Sequence, residues 1–226
     1  MSETPRGTVI FDLDGTLVDS APDLADTLDE VLADRGLAPI GLDGTRALIG
    51  HGIPALVRSA LVLRQGPVTE DDLARASDRF LSIYSGRLAA KTRPYPGAPE
   101  VLDALAGAGW RLTVCTNKRE AAASEVLREL GLLRFFAQVA GPDTFEAAKP
   151  DPAHLLGLLP CPQPAVVVGD SEIDVAAARA AGLPVVAVAW GYARRPVGDL
   201  GADAIAFRFE QVPGLVEGLS PRPRHR

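Results

Sequence analysis

The stretch Thr8-Val9-Ile10-Phe11-Asp12-Leu13-Asp14-Gly15-Thr16 runs four apolar or β-branched residues into a D-x-D-G-T tail. That is the pattern of a buried strand stopping in a turn. The same pattern recurs three times. Leu112 to Cys115 leads into Thr116-Asn117-Lys118, Val166 to Val168 into Gly169-Asp170-Ser171, and Val185 to Ala189 into Trp190-Gly191-Tyr192. Near-continuous hydrophobicity marks strands buried on both faces, as in a parallel sheet. Helical patterns lie between them: Val101, Leu102 and Leu105; Val126, Leu127 and Leu130; and Ile173 to Ala181, each closed by a glycine. The alternation predicts an α/β fold with a doubly wound parallel sheet, in which ligands sit at the carboxyl ends of the strands. The polar clusters fall at those ends.

Residues 19–93 break the alternation, with helical signals and no strand. Leu24, Leu28, Val31 and Leu32 share a helical face between Pro22 and Gly36. A second helix begins near Pro54 with Leu56, Val57, Ala60 and Leu61. A third follows Thr69, carries Glu70, Asp71 and Asp72 in its first turn, and turns Leu73, Ala76, Phe80, Leu81 and Tyr84 inward. An α-helical cap inserted after the first strand would stand over that strand's carboxyl end as a lid. Pro94-Tyr95-Pro96-Gly97 supplies the return hinge. The expected division is a core of residues 1–18 and 94–219, a cap of 19–93, and a polar, basic, disordered tail of 220–226.

A net charge of −6 argues against nucleic acid or an anionic membrane as partner. No run approaches the roughly 18 apolar residues of a membrane span, and the first residues do not read as a secretion signal. Cys115 and Cys161 stand in unlike contexts and suggest neither a disulfide framework nor a metal cluster. A cytoplasmic protein is expected. Nothing in the pattern specifies an oligomeric state.

Asp12 and Asp14 flank Leu13, so an extended backbone turns both carboxylates to one face. An isolated D-x-D-G reads first as a pair of turn or N-cap aspartates, and it is the further polar clusters at other strand ends that set this one apart. Gly169-Asp170-Ser171 with Asp174 is the second acidic cluster, where Asp170 or Ser171 could cap a helix and Asp174 face its dipole. If Asp12, Asp14 and Asp170 converge, their charges call for a cation. Hard oxygen ligands without Cys or His favour magnesium. Thr116 and Asn117 offer a hydroxyl, an amide and backbone N–H groups to phosphate oxygens, or simply cap a helix. Lys149, in Ala148-Lys149-Pro150-Asp151-Pro152, is either a surface lysine or a charge fixed by the prolines around it.

In this order the four clusters resemble the haloacid dehalogenase superfamily, from about Thr8 to Gly218. The resemblance implies that Asp12 is a nucleophile and Asp14 the general acid/base. It further implies Thr116 and Lys149 as phosphate ligands, with Asp170 on Mg2+ and Asp174 supporting it. Asp12, Asp14 and Asp170 form the expected metal set, and Asn117 and Lys118 join the substrate-binding residues. Asp19-Ser20-Ala21-Pro22-Asp23-Leu24, Ile49-Gly50-His51-Gly52-Ile53-Pro54-Ala55-Leu56, Tyr95-Pro96-Gly97, Thr116-Asn117-Lys118 and Trp190-Gly191-Tyr192 are similar to the phosphoglycolate phosphatases of that superfamily. That similarity implies a small phosphomonoester, 2-phosphoglycolate, as substrate. The Gly50-His51-Gly52 loop with the following helix N-terminus, Arg58 on that helix and Lys118 are the candidates for its carboxylate, with His51 otherwise a decoration of a flexible loop. Rival expectations are a sugar or amino-sugar phosphatase, a pyrophosphatase, a phosphomutase, a phosphoaccepting signalling module, or a non-catalytic protein that kept the fold.

Overall fold

The computed structural model describes residues 5–159 and 163–220. Cys161 and the expected tail beyond Ser220 lie outside them. Six parallel strands form the central sheet in spatial order β5-β4-β1-β6-β7-β8, from β1 (Gly7–Phe11), β4 (Trp110–Cys115), β5 (Gln138–Ala140), β6 (Ala165–Gly169), β7 (Val185–Val188) and β8 (Ala204–Ala206). The register pairs Phe11 with both Val114 and Val168, so β1, β4 and β6 end at one level. That shared level brings the polar clusters together. Every residue of β1 and β6 is buried, the physical reason that their sequences show no alternation. The helices α5 (Ala98–Gly107), α6 (Glu120–Glu129), α7 (Pro152–Leu156), α8 (Glu172–Ala181) and α9 (Val212–Leu219) complete the α/β unit. Alternate strand residues serve two cores: Val9 and Phe11 join one apolar cluster, and Ile10 joins another with Leu155 and Ala178.

Between β2 (Val18–Asp19) and β3 (Arg93–Pro94) lie α1 (Ala21–Ala33), α2 (Gly41–Arg46), α3 (Ile53–Gln65) and α4 (Glu70–Tyr84). These helices have an apolar cluster of their own, centred on Leu28, Leu32, Val57, Leu61, Phe80 and Tyr84. The buried residues of α3 are Leu56, Val57, Ala60 and Leu61, the face expected from their spacing. Thr69 caps α4 by accepting a hydrogen bond from the Asp72 N–H at 3.2 Å. Contrary to the expectation of no strand here, the two connections form a short antiparallel pair, Val18 with Pro94 and Asp19 with Arg93. Among the described residues, no helix is long and apolar enough to cross a membrane.

Candidate active site

Asp12 follows β1, and its N–H donates to the Val168 carbonyl at 2.9 Å, tying it to the end of β6. Asp170 follows β6. Its Oδ1 accepts from Thr16 Oγ1 at 3.2 Å and its Oδ2 from the Tyr192 N–H at 2.6 Å. Two glycines permit this approach: Gly15 has φ +93°, and a Cβ on Gly15 or Gly191 would overlap the Asp170 side chain. Asp174 completes the group. The carboxylates of Asp12, Asp170 and Asp174, all buried, place one oxygen each within 4.8 Å of one another.

Lys149 bridges two of these, with Nζ 2.6 Å from Asp12 Oδ1 and 2.7 Å from Asp174 Oδ1. Asp174 divides its oxygens, because Oδ2 accepts from the Ser171 N–H at 3.1 Å and from Ser171 Oγ at 2.6 Å, closing a capping box at the start of α8. Asp174 thus stands in the first turn of α8, closes the cap that Ser171 begins, and also reaches Lys149. Burial, reinforced by the Asp174 and Asp14 charges and opposed by Lys149, pushes the Asp12 carboxyl up to about 7. Burial, with the Asp12 and Asp174 charges, likewise raises Asp170 well above the usual carboxylate range. For Lys149 burial works to depress the ammonium, but Asp12 and Asp174 outweigh it and the group is held protonated.

Asp14, grouped in the sequence with the metal ligands, turns its carboxylate to Lys118, whose Nζ lies 2.9 and 3.0 Å from its two oxygens, and accepts from Ser20 Oγ at 2.5 Å. Lys118, expected at the substrate, is thus committed to Asp14, and its ammonium also sits 5.2 Å from the centre of the Tyr84 ring of α4. Thr116 is buried beside these groups, its Oγ1 accepting from the Lys118 N–H at 3.1 Å. Asn117 ties two loops together, donating from Nδ2 at 3.0 Å to the carbonyls of both Gly50 and Lys149. Its Oδ1 is buried without a partner among the described residues.

Asp12, Asp14, Thr116, Asn117, Lys118, Lys149, Asp170 and Asp174 all line one cavity of about 460 Å³. The sheet supplies the charged floor, while Leu24, Ile49 to Pro54, Leu56 and Leu81 of the insertion supply a largely apolar roof. His51 is in that lining and exposed. Arg58 is not: it points away from the cavity to Glu70, at 2.8 Å, on an exposed face. Helical spacing alone did not specify which neighbour its long side chain would choose. Sequence reasoning also missed Ser20 on Asp14 and Tyr192, whose hydroxyl donates to Asp19 Oδ1 at 2.6 Å. The quoted Trp190-Gly191-Tyr192, at the end of β7, was the available signal.

The sequence matches the haloacid dehalogenase-like hydrolases over residues 9–188. The chain belongs to that family. It is accordingly an enzyme, a hydrolase. Among its relatives, the phosphoglycolate phosphatase of Agrobacterium fabrum is 41% identical over 215 residues, covering 93% of this chain and 92% of its own. That of Rhodospirillum rubrum is 44% identical over 224 residues, covering 95% and 92%. A crystal structure titled as a predicted phosphoglycolate phosphatase from Haemophilus somnus superposes with a TM-score of 0.86 at 31% identity, covering 92% of this chain and 96% of that one. The hydrolase fold and the acidic centre at its strand ends are thereby accounted for together.

Proposed function

We propose that this hydrolase is a magnesium-dependent phosphatase that cleaves 2-phosphoglycolate to glycolate and phosphate through a phosphorylated Asp12. The observation that carries the reading is the Asp12-Lys149-Asp174 chain beside Asp170 on the floor of a closed-over cavity. The donor set fits the metal, since Asp12, Asp170 and Asp174 offer hard oxygens and include no Cys or His. Bound magnesium would neutralise their charge and that of the phosphoryl group, and polarise the latter.

The chain's own groups divide the remaining work. Asp12 bonds to phosphorus as the bond to the glycolate oxygen breaks, and Asp14 gives that departing oxygen a proton. Water then attacks the aspartyl phosphate, Asp14 takes its proton, and phosphate leaves as Asp12 is restored. Ser20 and Lys118 hold Asp14 in orientation, and Thr116 and Lys149 hold the phosphoryl oxygens. Residues 19–93 act as a cap that excludes bulk water and opens for release, with β2 and β3 as its connections. The free, buried thiol of Cys115 suits a cytoplasmic enzyme.

A cavity of about 460 Å³ is larger than a two-carbon ester needs, which makes sugar phosphates the rival substrates. The test compares kcat/KM for 2-phosphoglycolate, ethyl phosphate, pyrophosphate and glucose 6-phosphate. A lead of about tenfold over each, about 1.4 kcal/mol, is expected. If a sugar phosphate wins, the substrate is wrong while the mechanism stands.

A further inference from the structure

The cavity is lined by four Lys or Arg side chains, Lys118, Arg119, Lys149 and Arg194. Three of them are already committed to carboxylates: Lys118 to Asp14, Lys149 to Asp12 and Asp174, and Arg119 to Asp143 at 3.4 Å. Arg194 is different. Among the described residues no carboxylate pairs with it, and Nη2 donates to the Ile49 carbonyl over a long 3.4 Å. A guanidinium prefers a planar pair of oxygens to a single distant carbonyl, so its fork remains under-used.

Arg194 is exposed, and the segments on either side of it are placed by the site. Two residues earlier, the Tyr192 N–H holds Asp170 Oδ2, so the segment bearing Arg194 starts at the acidic floor. Ile49 adjoins Gly50, whose carbonyl receives Asn117, so the loop that Arg194 touches is the one folded over that floor. Arg194 therefore stands at the junction of floor and roof. A phosphoryl group held at Asp12 must project its leaving group toward the roof, where the lining otherwise supplies mainly apolar side chains and backbone.

We propose that Arg194 is the specificity residue that pairs with the carboxylate of the substrate's leaving group, giving up the Ile49 carbonyl as it does so. This rests on the phosphoglycolate reading above. It assigns to the loop after β7 a task that the sequence had given to the Gly50-His51-Gly52 loop with the following helix N-terminus, Arg58 and Lys118. Arg58 faces away and Lys118 is paired with Asp14, which leaves Arg194, at the edge of the loop that carries His51, as the cavity-lining cation that no carboxylate among the described residues engages.

The experiment measures kcat/KM for 2-phosphoglycolate and for ethyl phosphate, its analogue without the carboxylate, in the wild type, Arg194→Lys and Arg194→Gln, with magnesium present and folding checked by thermal melts. The expected result is that the preference for 2-phosphoglycolate falls at least about tenfold in Arg194→Gln, mostly through KM, with Arg194→Lys in between. A preference kept within twofold overturns the proposal and leaves the phosphoglycolate reading standing. Equal losses with both esters also overturn it, since they would mean that Arg194 only steadies the Ile49 loop. A wild type that does not prefer 2-phosphoglycolate to ethyl phosphate overturns both.

Discussion

Lys149 is one ammonium placed between two buried carboxylates, and its removal leaves Asp12 and Asp174 facing each other uncompensated. Breaking a buried pair from one side costs about 3–5 kcal/mol, because the abandoned charge stays in place. Lys149→Met should lose that much in denaturant melts without metal, recover part of it with magnesium, and remain inactive. Asp12→Asn should keep the fold and lower phosphate release by several orders of magnitude, since a carboxamide is a poor nucleophile; near-normal turnover would sink the covalent mechanism. His154 poses a different problem, because it is fully buried and neither ring nitrogen has a hydrogen-bond partner among the described residues. Burial, helped by the nearby Lys149 charge, lowers its pKa to about 4 from 6.5. The unfolded chain therefore binds this proton more readily, so stability is lost as pH falls from about 6.5 toward 4. Between pH 7 and pH 5 the lost stability is about 2 kcal/mol. Denaturation curves at both values should show His154→Leu gaining about that much on the wild type as the solution is acidified, and a pH-independent difference would remove His154 from the acid limb.

Helices α4 and α8 begin with the same kind of cap but are coupled differently to the site. Thr69 caps α4 on an exposed face, whereas Ser171 caps α8 through Asp174, whose other oxygen holds Lys149. Thr69→Ala and Ser171→Ala should each cost about 1 kcal/mol in denaturation. Only Ser171→Ala should also lower kcat/KM, and equal kinetic behaviour of the two variants would show that the box does not orient Asp174. Elements of this kind were legible in the sequence wherever one residue pattern forces one structure. β1, β4, β6 and β7 are buried runs, and α1, α3 and α4 carry apolar faces at helical spacing, the first two opened by a proline and the third by the Thr69 cap. β5 and β8 escaped because three residues carry too little pattern, and α2, Gly41–Arg46, because two of its six residues are glycine. The β2–β3 pair escaped because a strand of two residues ending in Pro94 has no periodicity to read. At the site, strand ends predicted which clusters would meet. They did not predict how carboxylates and ammoniums would be shared, with Lys118 and Ser20 on Asp14 and Lys149 between Asp12 and Asp174.

Across the whole molecule, the sheet delivers Asp12, Asp14, Asp170 and Asp174 to one cavity against Lys118 and Lys149, so two negative charges are left over when all are ionised. The insertion then covers that excess with apolar side chains, which deepens the electrostatic penalty instead of relieving it. A phosphate dianion cannot enter such a site unaided, and protonating Asp12 would remove the nucleophile. A divalent cation resolves both difficulties by matching the two surplus charges. Exhaustive chelation should therefore abolish turnover and magnesium restore it, with calcium, larger and looser in its coordination, a poor substitute. The same balance predicts an effect that needs no substrate: cation binding to the folded chain alone should raise the melting temperature, by about 2.7 kcal/mol of added stability at a hundredfold excess over Kd. That shift should shrink sharply in Asp170→Asn, which leaves one surplus charge and a poorer ligand, and change far less in Arg58→Gln, whose charge lies on the outer face. Thermal melts of the three proteins across a magnesium titration measure it. A wild type whose melting temperature ignores magnesium, or that turns over fully after chelation, would show that the acidic centre is balanced by protonation alone.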